Sequence, residues 1–96
     1  MASVVVTPTA RRNLATLIES DSLPPSTTER VRAALEPLRQ FPLLGAPLEG
    51  RWAGVRFILG PWRWMIVVYR YDEAIDQVAI VTIRDGRSAG GPMTSR

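Results

Sequence analysis

Residues 3–7, Ser-Val-Val-Val-Thr, are β-branched and short, and they predict a first strand. Thr7 then stands where a helix N-cap is expected, with Pro8 at the first helical position, where a missing N–H costs nothing. Ala10, Leu14, Leu17 and Ile18 recur at helical spacing, while Arg11, Arg12, Asn13 and Glu19 fall off that face. The pattern predicts a helix to about Ser20 that buries one side against a sheet. Asp21-Ser22-Leu23-Pro24-Pro25 breaks it, and Ser26 with Glu29 has the form of a capping box for a second helix. That helix carries Val31, Ala34, Leu35 and Leu38 on its apolar stripe. Pro37 should kink it or split off its last turn, and Phe41-Pro42 ends it.

Residues 42–50 are rich in Pro, Gly and Leu and predict an irregular, partly buried loop. Residues 55–59 then read as a strand, Gly60-Pro61 as a tight turn, and residues 62–71 as a long return strand. Acids cluster in the next turn at residues 72–76, residues 77–84 form the last strand, and Asp85-Gly86 ends it. Residues 88–96 are small and polar and predict a disordered tail after one domain spanning residues 1–87. The expected architecture is α+β in the order β-α-α-β-β-β. A helical hairpin packs on one face of a small, mainly antiparallel four-stranded sheet.

Strict alternation along the return strand puts Trp62, Trp64, Ile66, Val68 and Arg70 on one side. Arg63, Met65, Val67, Tyr69 and Tyr71 take the other. Neither set is purely polar, so the second face is expected to be partly covered or to await a ligand.

Composition narrows the chemistry. The 96 residues suffice for one modest core and are 46% hydrophobic. The chain has no cysteine and no histidine, which removes disulfides, thiolate metal sites and the commonest catalytic base. Metal-independent chemistry, or none, is favoured, and no cofactor is expected. All twelve basic residues are arginine, and the net charge is +3. Arginine stays protonated and presents a planar fork suited to phosphate, so it can clamp an anion but cannot act as a base. No signal peptide is visible and no apolar run reaches the ~20 residues of a membrane span, so a cytoplasmic protein is expected.

Residues 51–71 hold all three tryptophans together with Arg51, Arg56, Arg63 and Arg70, without one acid among them. Arg56 is expected to approach Arg63 near the hairpin, with Arg84 or Arg87 joining from the last strand to form a phosphate-binding concavity. Arg70 and Arg84 could instead pair with Asp72, Asp76 or Asp85 as ordinary surface charges. Trp62 and Trp64 flank Arg63 in a pattern suited to base stacking plus a phosphate contact, or they belong to the core.

The order of short motifs carries a resemblance. Pro47-Leu48-Glu49-Gly50 is followed by Gly54-Val55-Arg56, then by Gly60 with the pair Trp62-Arg63. Val68-Tyr69-Arg70 then leads into Asp72-Glu73, and Ile83-Arg84-Asp85-Gly86-Arg87 closes the series. This order resembles the RelE/ParE toxin superfamily over nearly the whole chain. The resemblance implies a toxin neutralised by a cognate acidic antitoxin, as a homodimer or a heterotetramer with it. It also implies either a ribosome-dependent mRNA endonuclease that arrests growth by inhibiting translation, or a toxin that inhibits DNA gyrase without cutting RNA. An inactive or binding-only member of the fold is the third alternative. Carried over by position, Arg56, Arg63 and either Arg84 or Arg87 would hold the scissile phosphate. Arg51, Trp62 and Trp64 would contact substrate. The base and acid would come from among Glu49, Asp85, Tyr69 and Tyr71. RNA-cutting members often carry a Tyr or His near the C-terminus, where this chain has Ser88-Ala89-Gly90-Gly91.

Overall fold

The computed structural model describes residues 1–87, so the tail expected at residues 88–96 lies outside the described residues. Strand β1 (Ser3–Val6) feeds directly into helix α1 (Pro8–Ser20). Thr7 makes that junction. Its hydroxyl accepts from the Ala10 N–H at 3.2 Å and donates to the Ile80 carbonyl at 2.7 Å, so the helix cap is also a tether to the sheet.

Helix α2 (Thr27–Leu35) and the single turn α3 (Pro37–Gln40) follow, split at Pro37 as the proline predicts. The capping box does not form. Ser26 has ψ 0° rather than an extended ψ, its side chain makes no cap hydrogen bond, and Glu29 pairs instead with Arg32 at 3.1 Å. Helix α2 is begun by Thr27, whose buried hydroxyl and N–H both donate to the Pro24 carbonyl.

The remaining chain forms β2 (Ala46–Pro47), β3 (Arg56–Leu59), β4 (Met65–Asp72) and β5 (Gln77–Asp85). The sheet order is β1-β5-β4-β3-β2, with β1 parallel to β5 and every other pair antiparallel. It has five strands rather than the four expected, because residues 46–47 of the Pro-rich loop pair with β3 and add a short edge. The return strand begins at Met65, not Trp62: the Met65 N–H bonds the Trp62 carbonyl at 2.9 Å and closes a turn over Trp62-Arg63-Trp64. The alternation inferred for Trp62 and Trp64 therefore does not hold, since a turn has no period of two.

Helices cover one face of the sheet. The core there joins Ala10, Leu14, Val31, Leu35 and Leu38 to Met65, Val67, Tyr69, Val78, Ile80 and Ile83, with Trp62, Trp64 and Tyr71 packed against it. Residues that pair directly across an antiparallel ladder share a face. Phe57 with Val68, and Leu59 and Arg84 with Ile66, therefore lie on the second face. Ile66 and Val68 are buried although they lie outside the helix-side core. A 3₁₀ turn at Gly50–Trp52 carries Trp52 across to this face. Gly50 (φ 67°) and Gly54 (φ 94°) flank the turn in left-handed backbone with open space around them, so glycine is required there by conformation and not by crowding.

Candidate functional site

The sequence-predicted residues do not all converge. Arg56 pairs across the ladder with Tyr69, whereas Arg84 pairs with Ile66, three positions or ~10 Å further along the strand and on the opposite face. The Arg56 guanidinium turns to the loop before β2, where it donates to the Gly45 carbonyl at 2.8 Å and to the Leu43 carbonyl at 3.3 Å. It does not meet Arg63 near the hairpin, because that would require the other end of β3.

Arg63, Arg84 and Arg87 do share one end of the sheet. Met65 pairs with Asp85, so the turn holding Arg63 lies beside the end of β5. Arg63 is exposed. Arg84 lies over the Trp52 ring at 5.2 Å, and Arg87 lies over Trp64 at 4.2 Å, both within cation–π range. Trp62, 6.4 Å from Trp64, is covered by Arg30 of α2 at 5.6 Å.

Arg87 is further committed. It grips Asp85 with two hydrogen bonds of 2.9 Å and lies 3.6 Å from Asp21. This pairing holds the Asp85 carboxyl below its usual range and raises the Arg87 guanidinium. Asp85 therefore pairs with Arg87 rather than with Arg84. Among the described residues, Arg70 and Arg84 form no ion pair with Asp72, Asp76 or Asp85.

The remaining candidates lie apart. Glu49 is exposed at the N-terminal edge of the 3₁₀ turn, and Arg51 is exposed within it. Tyr69 is fully buried, and its hydroxyl accepts from the Gly45 N–H at 2.8 Å; burial raises its pKa against the opposing effects of that bond and of Arg56. The Tyr71 hydroxyl donates to Asp76 at 2.7 Å, which also raises its pKa. Neither tyrosine is poised to give up a proton. Among the described residues no three His, Cys, Asp or Glu side chains gather as metal ligands. No helix there is long and apolar enough to cross a membrane.

Two arginine-on-tryptophan contacts thus share one end of the sheet, Arg87 on Trp64 at the helix-side core and Arg84 on Trp52 on the second face, with the exposed Arg63 in the turn beside the end of β5. Trp52 and its stacking role were not read from the sequence; the available signal was a tryptophan beside Arg51 between two loop glycines.

No protein-family model matches the chain, and no curated protein matches it by sequence. Solved structures do. In the toxin–antitoxin complex RelBE2 from Mycobacterium tuberculosis, one chain is 29% identical, with a TM-score of 0.62 over 88% of this chain and 96% of that one. The chromosomal ParDE system from P. aeruginosa contains a chain with 18% identity and a TM-score of 0.69 over the same two shares. YafQ from E. coli gives 11% identity and a TM-score of 0.63, over 95% of this chain and 100% of that one. At those lower identities the likeness concerns the fold alone. These neighbours are RelE/ParE-type toxins, and the chain carries their fold, as the order of its motifs implied.

Proposed function

We propose that this chain is the toxin of a type II toxin–antitoxin pair and that it cuts mRNA on the ribosome. The observation that carries the reading is the clustering of Arg63, Arg84 and Arg87 with Trp52 and Trp64 at one end of the sheet. Guanidinium forks suit phosphates, and guanidinium planes stacked on half-buried tryptophans suit unstacked bases. In cleavage by 2′-hydroxyl attack, the 2′-oxygen bonds to phosphorus, the bond to the 5′-oxygen breaks, and a proton moves to that leaving oxygen. Arg63 and Arg84 would stabilise the charge that develops on the phosphoryl oxygens. Asp85, kept ionised by Arg87, is the candidate acceptor for the 2′-hydroxyl proton in this reading. A ribosomal target requires a cytoplasmic protein.

The antitoxin reading has its own support. Next to β1 the surface is grooved, lined by Val4, Val6, Leu14, Val31 and Leu35 and bordered by Arg11 and by Arg32 and Arg39, which pair with Glu29 and Glu36. An acidic amphipathic segment that orders on contact fits such a surface.

A second reading, a toxin that binds a topoisomerase without cutting RNA, is favoured by one observation. Arg56 and Arg87 are already engaged within the fold, and both candidate tyrosines are hydrogen-bonded. The two separate in a cell-free translation reaction whose mRNA is mapped by primer extension. Ribosome-dependent cuts that Arg84→Ala abolishes support the first; intact mRNA with inhibited DNA supercoiling supports the second.

A further inference from the structure

We infer that the apolar groove formed by the segment after α3 with Tyr71 and Glu73 docks a partner protein through a segment that sets lysine or arginine beside apolar anchors. Phe41, Leu43 and Leu44 are each 57% exposed, so three large apolar side chains stand bare within one short stretch. Together with Tyr71 and Glu73 they line a broad, open groove of about 530 Å³.

The backbone under these side chains is secured. The Phe41 N–H donates to the Pro37 carbonyl at 2.8 Å, and the Leu44 N–H donates to the Phe41 carbonyl at 3.0 Å. Gly45 is then held by Arg56 and Tyr69. A segment fixed at both ends keeps its apolar groups in water, and covering them gains hydrophobic free energy that folding leaves unrealised.

Charge says what kind of cover fits. The chain as a whole is basic, with a net charge of +3, yet this groove is bordered by acids. Glu73 lines it, and the Asp76 carboxylate accepts from the Tyr71 hydroxyl at 2.7 Å. Among the described residues neither acid forms an ion pair. Arg56 reaches the loop but donates to the carbonyls of Gly45 and Leu43, and Arg39 of α3 is paired with Glu36 at 3.1 Å. A nucleic-acid strand or an acidic segment is repelled by two such carboxylates, whereas a cation next to an apolar anchor meets both features of the groove.

The groove is also remote from the arginine-bearing end of the sheet. Tyr71 lies six positions along β4 from Met65, or about 20 Å, and Met65 is the residue that pairs with Asp85. A partner held here leaves Arg63, Arg84 and Arg87 uncovered, so the docking site stands whichever target that end engages.

The test titrates the full chain with a short peptide of alternating lysine and leucine, then with the same peptide carrying glutamate for lysine, and follows backbone amide signals by NMR. The lysine peptide should saturate, with shifts confined to residues 40–45 and 71–76, and should bind less tightly as salt is added. Leu43→Ser should weaken it roughly tenfold by deleting one anchor, and should melt as the unmodified chain does because Leu43 is exposed. Glu73→Gln should weaken it about threefold, the scale of one ion pair at a rim. The glutamate peptide should leave these residues unmoved. No saturable shift, equal shifts with both peptides, saturation at the β1 groove instead, or indifference to Leu43→Ser overturns the proposal. Sedimentation showing self-association that Leu43→Ser abolishes assigns the groove to a second copy and overturns it too. Cleavage of mRNA is read separately through Arg84→Ala, so either reading can fail while the other stands.

Discussion

Arg56 and Tyr69 face each other across the β3–β4 ladder and hold the same residue, Gly45, by its two backbone polar groups. Arg56 donates to the Gly45 carbonyl and Tyr69 accepts from the Gly45 N–H, each at 2.8 Å. The pair thereby pins the loop before β2 to the middle of the sheet. Tyr69→Phe should destabilise the protein by about 1–3 kcal/mol, because the buried Gly45 N–H loses its only acceptor among the described residues. Urea denaturation measures this, and faster amide exchange at Gly45 localises it. Arg56→Ala should accelerate the same amide. If Arg56→Ala abolishes activity while Gly45 exchange stays slow, Arg56 acts on substrate instead.

Gly45 itself should tolerate no side chain. A Cβ there would stand 2.5 Å from the Phe57 carbonyl oxygen and 2.8 Å from the Tyr69 ring. Backbone of a central ladder cannot retreat as a flexible side chain can. Gly45→Ala should therefore cost about 1–3 kcal/mol, as overpacking does, and should lower the thermal midpoint visibly. Gly50→Ala would cost through backbone conformation instead, because nothing lies within 4 Å of its Cβ position.

Asn13 closes the gap that β1 leaves beside β5. Replacing it with Ala strands the Ile83 N–H and the Thr82 hydroxyl, both on buried residues. A loss of about 1–3 kcal/mol is expected. Asn13→Asp should be milder, since the carboxylate still accepts from both donors. Hydrogen exchange at Ile83 reads the difference directly.

These relationships mark what the sequence could and could not reveal. Thr7-Pro8, the apolar face of α1 and the break at Pro37 were legible because cap, period and proline act within a few residues. Asn13 reads locally as a solvent-facing helix position, yet its partners stand 69 and 70 residues away. Arg56 reads as a free cation, but its carbonyl partner lies in a loop 11 residues upstream. The Trp62-Arg63-Trp64 segment has strand propensity on all sides, and a turn closed by Met65 overrides it. The arginine set of the candidate site was visible as composition. Its division into structural and open members depends on nonlocal partners that no spacing rule encodes.

The Asp85–Arg87 pair makes stability depend on pH. Arg87 holds the Asp85 carboxyl below its unfolded value, so folding favours the ionised form. The contribution is complete above about pH 4, the ordinary carboxylate value, and is lost as pH falls through the lower folded value. Asp85→Asn should lower the thermal midpoint at pH 7, and the gap to the unmodified chain should close as the pH falls through the lowered folded value. A gap that persists unchanged in acid would mean that the Asp85 charge is not what the fold uses.

Trp52 offers the sharpest separation of packing from recognition. Arg84 lies over its ring, and the turn that carries it reaches the face where Ile66 and Val68 are buried. Trp52→Ala should uncover that face, raising binding of a hydrophobic dye and speeding exchange at Ile66. It should also release Arg84, whose side-chain Nε–H order parameter should fall. Trp52→Phe keeps an aromatic plane and should preserve both. Gly54→Ala leaves the tryptophan in place but opposes the φ of 94° that aims it, at a cost of about 1–2 kcal/mol. If the turn positions Trp52, Gly54→Ala reproduces the dye binding and the loosened Arg84 of Trp52→Ala. If Arg84 stays ordered in Gly54→Ala while the dye binds, the turn serves only as a cover, and Arg84 is fixed by the strand alone.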